Sequence, residues 1–488
     1  MSEIRFIDST TRDGVQSLWA MRLTTPEFLA IAPTMDAAGF KAIESPAGGP
    51  GFWHFASRFL KEDPWERFRL ICGAVTRTPL RMWMRSRGLH DFSSVPKPHA
   101  LARLWLSRWA HYGIRQVIFL EEENDFGNIP ELVTHAKSVG LGVVTPIMYS
   151  LSPVHTPEYY VGKAREAVAA GTDVIEIKDQ GGLLTPDTTR SFVKAIQEGS
   201  AGKVDLEFQT HCTTGLGLLS TLEAIKLGIT SIRSCLPPLA EGSSNPSTLG
   251  IIRNATYAGH TTRLDQNALR AISEHFTYVA KKEGLPIGAP LEHDAAVYDH
   301  QVPGGVQGTL RWQLAQLKSA HRFEEVLAET ARVRKDMGYP IMVTPCSQFI
   351  VAQATMNVLG GERYKTVCDE VIEKLVLKSA IQPPGQPDPG LMDRIMKLPR
   401  THEILERKVV QPSLEEMRRE FGADLSDDDF LFRTAASREY YDAVRGKPIR
   451  TDYPRGDKPL MALLHELMQR KRSSIEIRKG DLRLTLRS

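Results

Sequence analysis

From residue 1 to about 240, short apolar runs alternate with longer stretches of helix-like periodicity. The runs fall at 4–7, 42–45, 80–84, 117–120, 143–149, 174–177, 206–209 and 231–236. Each starts about 25 to 40 residues after the last, the spacing of a strand, a crossover helix and a parallel strand. Eight such units are what a closed (β/α)8 barrel requires. An open doubly wound sheet is the competing architecture, and the absence of a GxGxxG fingerprint after the first run weighs against it.

The residues that end the runs are unusual. The first ends in Asp8 and leads to Arg12-Asp13-Gly14-Val15-Gln16. The second ends at Glu44, the third at Arg85 and the fourth in Glu121-Glu122-Glu123. The sixth places Ile175 and Ile177 on one face and delivers Lys178-Asp179 before Gly181-Gly182, and the seventh ends in Gln209-Thr210-His211. A lysine at the end of an apolar strand is costly unless its head reaches water, an anion or a metal, or is salt-bridged to its neighbour. In a barrel all these ends share one rim, where active sites of that fold sit. Six polar ends in eight describe a site.

Beyond the barrel, 264–284, 323–337 and 347–359 read as helices, and Gln382 to Gly390 (QPPGQPDPG) as a proline-rich connector. Asp424 to Asp429 reads as solvated helix surface, because DLSDDD lacks calcium-loop spacing. The tail predicts a helix over 460–470 and a hairpin from the alternation of Ile475/Ile477 with Leu482/Leu484/Leu486.

Composition changes little. The chain has 488 residues, 42% hydrophobic and 24% charged, with a formal net charge of +3, too small for its size to imply a nucleic-acid partner. No apolar window is long enough to span a membrane, and the first residues lack the layout of a secretory signal. Five scattered cysteines without a CxxC point to a reducing compartment, so a cytoplasmic location is expected.

The chain resembles the carboxyltransferase subunits of biotin-dependent enzymes: the central domain of pyruvate carboxylase, the oxaloacetate decarboxylase alpha subunit and the transcarboxylase 5S subunit. The motifs that carry this are DSTTRDGVQS (8–17), FLKEDPWERFR (59–69), LSPVHTPEYYV (151–161), IKDQGGLLTP (177–186), QTHCTTG (209–215), YDHQVPGG (298–305), RVRKDMGYP (332–340), VTPCSQ (343–348) and LGGERYK (359–365), in family order. The resemblance implies a (β/α)8 barrel over 1–290 and a mainly helical carboxylase domain over 291–455 that caps it; 456–488, which departs furthest from the family, reads as a docking or structural tail. The resemblance also implies a divalent metal (Zn, Mn or Co) held by Asp13, Lys178, Gln209 and His211, with Lys178 carboxylated on its amine. Arg85 and Gln16 would hold the acceptor, Arg12 would share that site, Thr344 would shuttle a proton, and Ser347 and Phe92 would contact biotin. The reaction implied is carboxyl transfer between carboxybiotin and a small keto acid or related carbonyl acceptor, through an enolate stabilised by the metal.

The chain departs from the family in four places. The usual HxHTH is EFQTH here, so Gln209 stands for a ligating histidine. FDALND is replaced by Leu120-Glu121-Glu122-Glu123-Asn124-Asp125, a pocket tyrosine by Phe92, and VWGGA by Ser45-Pro46-Ala47-Gly48-Gly49. Met396-Lys397 lies outside any biotinyl hairpin, and no biotin carboxylase domain precedes residue 1. Biotin is therefore expected on a separate carrier, with a biotin carboxylase subunit as a further partner, in a homodimer or larger complex. Two alternatives share the barrel: a biotin-independent metal-dependent aldolase or lyase, and a non-catalytic scaffold subunit. Thr344 and the cap count against the first. Joint retention of Asp13, Lys178, His211, Arg85 and Thr344 counts against the second.

Overall fold

The computed structural model describes residues 2–86, 98–377, 380–407, 412–468, 474–479 and 482–487. Eight parallel strands close into a barrel in sequence order: β1 (Arg5–Asp8), β2 (Ala42–Glu44), β3 (Leu80–Met84), β4 (Gln116–Phe119), β5 (Gly142–Met148), β6 (Val174–Asp179), β7 (Asp205–Thr210) and β8 (Ser231–Ser234). β8 returns to β1 with Arg5 opposite Ser231 and Asp8 opposite Ser234, which closes the ring and excludes the open sheet.

The strand period of two explains the barrel's inner chemistry. On β6, Ile175 and Ile177 are buried in the main apolar cluster, and Glu176 and Lys178, which alternate with them, form ion pairs with barrel residues. Low in the barrel, Arg81 of β3 binds Glu207 of β7 at 2.9 Å, and Lys41 reaches the same carboxylate at 2.9 Å. Burial drives the Glu207 carboxyl upward, but Arg81 and Lys41 outweigh it and hold it at about 2.

A second apolar core, distinct from the barrel's, gathers Val302, Leu310, Val326, Val333, Ile350 and Ile372 with neighbours as far as Ile404. Its helices include Gly304–Gln316, Phe323–Asp336, Cys346–Gly360 and Asp369–Val376. The proline-rich stretch does not separate domains. It lies strapped on this core, with the Gly385 N–H donating to the Gly338 carbonyl at 2.9 Å and the Asp388 N–H to that of Asp336 at 2.7 Å. After it the chain returns to the barrel, where Phe430, Leu431 and Phe432 join the main cluster and Phe432 faces Trp53.

The acidic run is solvated only in part: Asp424 is exposed, but the later aspartates are engaged. Ser426 caps the helix Asp427–Ala435, a terminus that favours acids, and Asp428 accepts from Arg108 at 2.7 Å and from Tyr112. Asp427 pairs with Arg418 and Asp429 with Arg445 within the C-terminal helices, while Asp428 ties this helix to the barrel's surface. The tail forms a helix, Pro459–Met468, and an antiparallel pair, β9 (Ser474–Lys479) and β10 (Leu482–Arg487). No helix among the described residues is long and apolar enough to cross a membrane.

Candidate active site

The carboxyl ends of the barrel strands open into a cavity of about 910 Å³ that the second core roofs over. Lys178 lies at the end of β6 with its side chain 8% exposed. Its Nζ is 3.3 Å from Glu176 and donates to the Gln209 side-chain oxygen at 3.2 Å. The partner is thus the residue two back on the same strand face, not adjacent Asp179. Asp179 instead accepts from the Leu183 and Leu184 N–H groups and from the Thr210 hydroxyl, which shapes the loop after β6. Within that loop Gly182 has φ +65°, and a Cβ there would stand 2.8 Å from the His211 carbonyl oxygen. Only glycine lets the two rims approach so closely. Burial lowers the Lys178 pKa and Arg233 adds to that, against Glu176 and Asp13, which raise it.

Asp13 sits in the turn Thr10–Gly14 after β1. Its Oδ2 is 3.3 Å from His211 Nε2 and 3.1 Å from Arg233 Nη2, and Arg12 lies 3.3 Å from Oδ1. Burial raises the Asp13 carboxyl, but His211, Arg12 and Arg233 together hold it well below the usual carboxylate range. His211 Nδ1 lies 2.7 Å from the Ser243 carbonyl, which can only accept. Nδ1 therefore donates to that carbonyl, which turns Nε2 toward the Asp13 carboxylate.

Two ligands of a tetrahedral metal at about 2.0–2.1 Å stand roughly 3.3 Å apart, the separation of Asp13 Oδ2 and His211 Nε2. Among the described residues no three His, Cys, Asp or Glu side chains are placed to hold a metal ion by themselves. Lys178, and Gln209 whose oxygen accepts from it, are the residues that would complete such a set, and Lys178 offers an oxygen only once carboxylated. On those terms the residues fit a divalent cation, with a harder, more oxygen-rich donor set than a two-histidine site provides.

Other residues singled out in the sequence are distributed unevenly. Gln16 lines the cavity, and its side-chain oxygen has no hydrogen-bond partner among the described residues. Thr344, just before the helix Cys346–Gly360, faces the same space from the roof. Ser347 does not: Gln348 and Ala352 share the lining face of that helix, and Ser347 is buried away from it. Arg85 reaches the cavity but is ion-paired with Glu122. Phe92 lies outside the described residues.

Sequence reasoning missed Arg233 of β8, which binds both Glu176 oxygens at 2.9 and 2.8 Å and Glu44 at 2.9 Å. It also missed Lys374, buried in the roof, 3.1 Å from Glu123 and 3.5 Å from Glu122. Arg233 could have been found from the period of two along SIRS. Lys374 carried no such signal.

Comparison with known proteins gives the arrangement a lineage. A family profile described as HMGL-like matches residues 3–276, and one described as conserved carboxylase domain matches 297–481. A pyruvate carboxylase subunit of Methanocaldococcus jannaschii is 36% identical over 395 residues, covering 80% of this chain and 68% of that protein. The chain belongs to the biotin-dependent carboxyltransferase family. The methylmalonyl-CoA carboxyltransferase 5S subunit of Propionibacterium freudenreichii is 30% identical over 75% of this chain and 72% of its own length. The carboxyl transferase domain of Rhizobium etli pyruvate carboxylase, solved with oxamate and biotin, shares the fold at TM-score 0.79 and 23% identity, over 91% of this chain and 77% of that one. The chain spans about two thirds of the length of the curated relatives it matches. Both profiles meet at the cavity: Asp13, Lys178 and His211 come from the first segment, and Thr344 and Lys374 from the second.

Proposed function

We propose that this protein is a carboxyltransferase subunit that moves a carboxyl group between carboxybiotin, borne on a separate carrier protein, and a small carbonyl-bearing acceptor. It works in the cytoplasm beside a biotin carboxylase subunit, with 1–290 as the barrel and 291–455 as its cap. The observation that carries this reading is the meeting of the roof hydroxyl of Thr344 with the Asp13, Lys178 and His211 cluster in one cavity.

Asp13, His211, Gln209 and carboxylated Lys178 would hold a divalent metal such as Zn, Mn or Co. When bound, it would act as a Lewis acid toward the acceptor's carbonyl oxygen. The chain's own residues supply the rest. Ser243 orients the His211 ring, and Arg12, stacked 5.1 Å over Trp83, joins His211 in keeping Asp13 ionised. Thr344 can pass a proton between the acceptor's α-carbon and biotin without leaving a charge in the roof.

Thr344→Ala should lower biotin-dependent carboxyl transfer by about 10²–10⁴-fold, the usual contribution of a positioned proton relay, with fold and metal content unchanged. Thr344→Ser should keep a substantial part of the rate. Equal rates for all three proteins would remove biotin chemistry from this site. Gln209→His would replace an amide oxygen by imidazole, and zinc affinity measured against a chromophoric chelator should rise about tenfold or more. An unchanged affinity would place residue 209 outside the coordination.

A further inference from the structure

Four cationic side chains line the cavity among the described residues, and each is already paired with a carboxylate. Arg12 lies 3.3 Å from Asp13, Lys178 3.3 Å from Glu176, and Lys374 3.1 Å from Glu123. Arg85 pairs with Glu122, which also lies 3.5 Å from Lys374. Arg85 and Lys374 thus bring two positive charges to this corner, and Glu122 and Glu123 bring two negative ones. All four are buried. An acceptor carboxylate seated on Arg85 would have to expel Glu122 and leave a buried carboxylate without its arginine, which is strongly unfavourable.

Part of the cavity wall is apolar. Met21, Phe52, Phe55 and Trp83 line it, with Phe52 edge-on to Trp83 at 5.0 Å and against Phe55 at 5.6 Å between ring centroids. Within a cavity of about 910 Å³ that carboxybiotin must also enter, this apolar wall suits an acceptor with a ring-sized apolar group rather than a three-carbon acid. We infer that the acceptor is a neutral methyl or methylene ketone with an apolar, aryl-sized substituent, seated on the Phe52–Trp83 wall, and that Glu122 selects it over an α-keto acid by occupying Arg85.

This rests on the carboxyl-transfer reading and narrows it. The reaction balances without a further reagent. The carbon–nitrogen bond of carboxybiotin breaks, a carbon–carbon bond forms at the ketone's α-carbon, and the displaced α-proton ends on the biotin nitrogen. The product is a β-keto acid.

The test is calorimetric titration of the full chain, without biotin, using two matched pairs. Phenylacetone and phenylpyruvate differ by a methyl group against a carboxylate, as do acetone and pyruvate. Phenylacetone should bind at least about tenfold tighter than phenylpyruvate and tighter than acetone, with pyruvate weakest. Glu122→Gln should improve phenylpyruvate binding about tenfold and leave phenylacetone within about twofold, once circular dichroism shows the variant folded. Wild-type preference for either acid, or no binding of either ketone, overturns the inference even if the variant fails to fold. Because the titration involves no carboxyl transfer, its failure is separate from that of the Thr344 series.

Discussion

Lys178→Ala should abolish carboxyl transfer, with a fall on the order of 10³-fold or more, since a Lewis acid contributes several kcal/mol to such a reaction. The substitution removes the one side chain that can become an anionic oxygen ligand in a barrel end where Asp13 and His211 alone are too few. The barrel itself should survive. Glu176, left behind by the amine, keeps both its bonds to Arg233 at 2.9 and 2.8 Å. Only a neutral amine attacks carbon dioxide, and burial together with Arg233 moves Lys178 toward that form. Intact-mass measurement of the wild type in bicarbonate should therefore show a labile addition of about 44 Da, the mass of carbon dioxide, that the alanine variant lacks. Metal content should fall in parallel. An active variant with full metal occupancy would refute the bridging role.

The distance between what the sequence discloses and what the structure adds follows from length scale. β6 and β7 are legible because apolar residues alternate over a few positions, and that pattern is local. Lys178 and His211 are legible because they terminate such patterns. The charges inside the barrel are harder, because Arg81, Glu176 and Glu207 interrupt apolar runs at positions that look like strand surface. Their partners sit on other strands: Glu207 lies 126 residues from Arg81. Lys374 is harder again, since nothing in EVIEKLV tells a buried roof lysine from a solvated helical one. The acidic run misleads for the same reason, because the arginine and tyrosine that hold Asp428 lie more than 300 residues earlier. Ser347 fails at a finer grain: one residue along a helix turns a side chain by about 100°, enough to move it from the lining face into the core.

Arg233→Met should be the most destabilising single change in the barrel. The guanidinium is 2% exposed and binds Glu176 through both oxygens, with Glu44 at 2.9 Å, Asp13 at 3.1 Å and Ser9 at 3.2 Å. Removing it leaves three carboxylates of the inner wall without their common counterion. Losing one partner of a buried ion pair typically costs about 3–5 kcal/mol, and the urea midpoint should drop accordingly. Arg233→Lys should cost less but not be neutral, because an ammonium cannot reproduce the fork that holds Glu176. The pH dependence should change sign. In the wild type, burial raises the Glu176 carboxyl, but Arg233 and Lys178 outweigh it and the net shift is downward. That contribution is present above the unfolded carboxyl range and fades as the pH falls through the folded value. Without Arg233, burial dominates and the folded pKa lies above the unfolded one. The native state then binds the extra proton, so the variant should become more stable as the pH is lowered from about 8 to 5. A variant whose stability rises with pH over that range, or whose urea midpoint matches the wild type, would show that Arg233 is not the counterion that holds the barrel's inner carboxylates together.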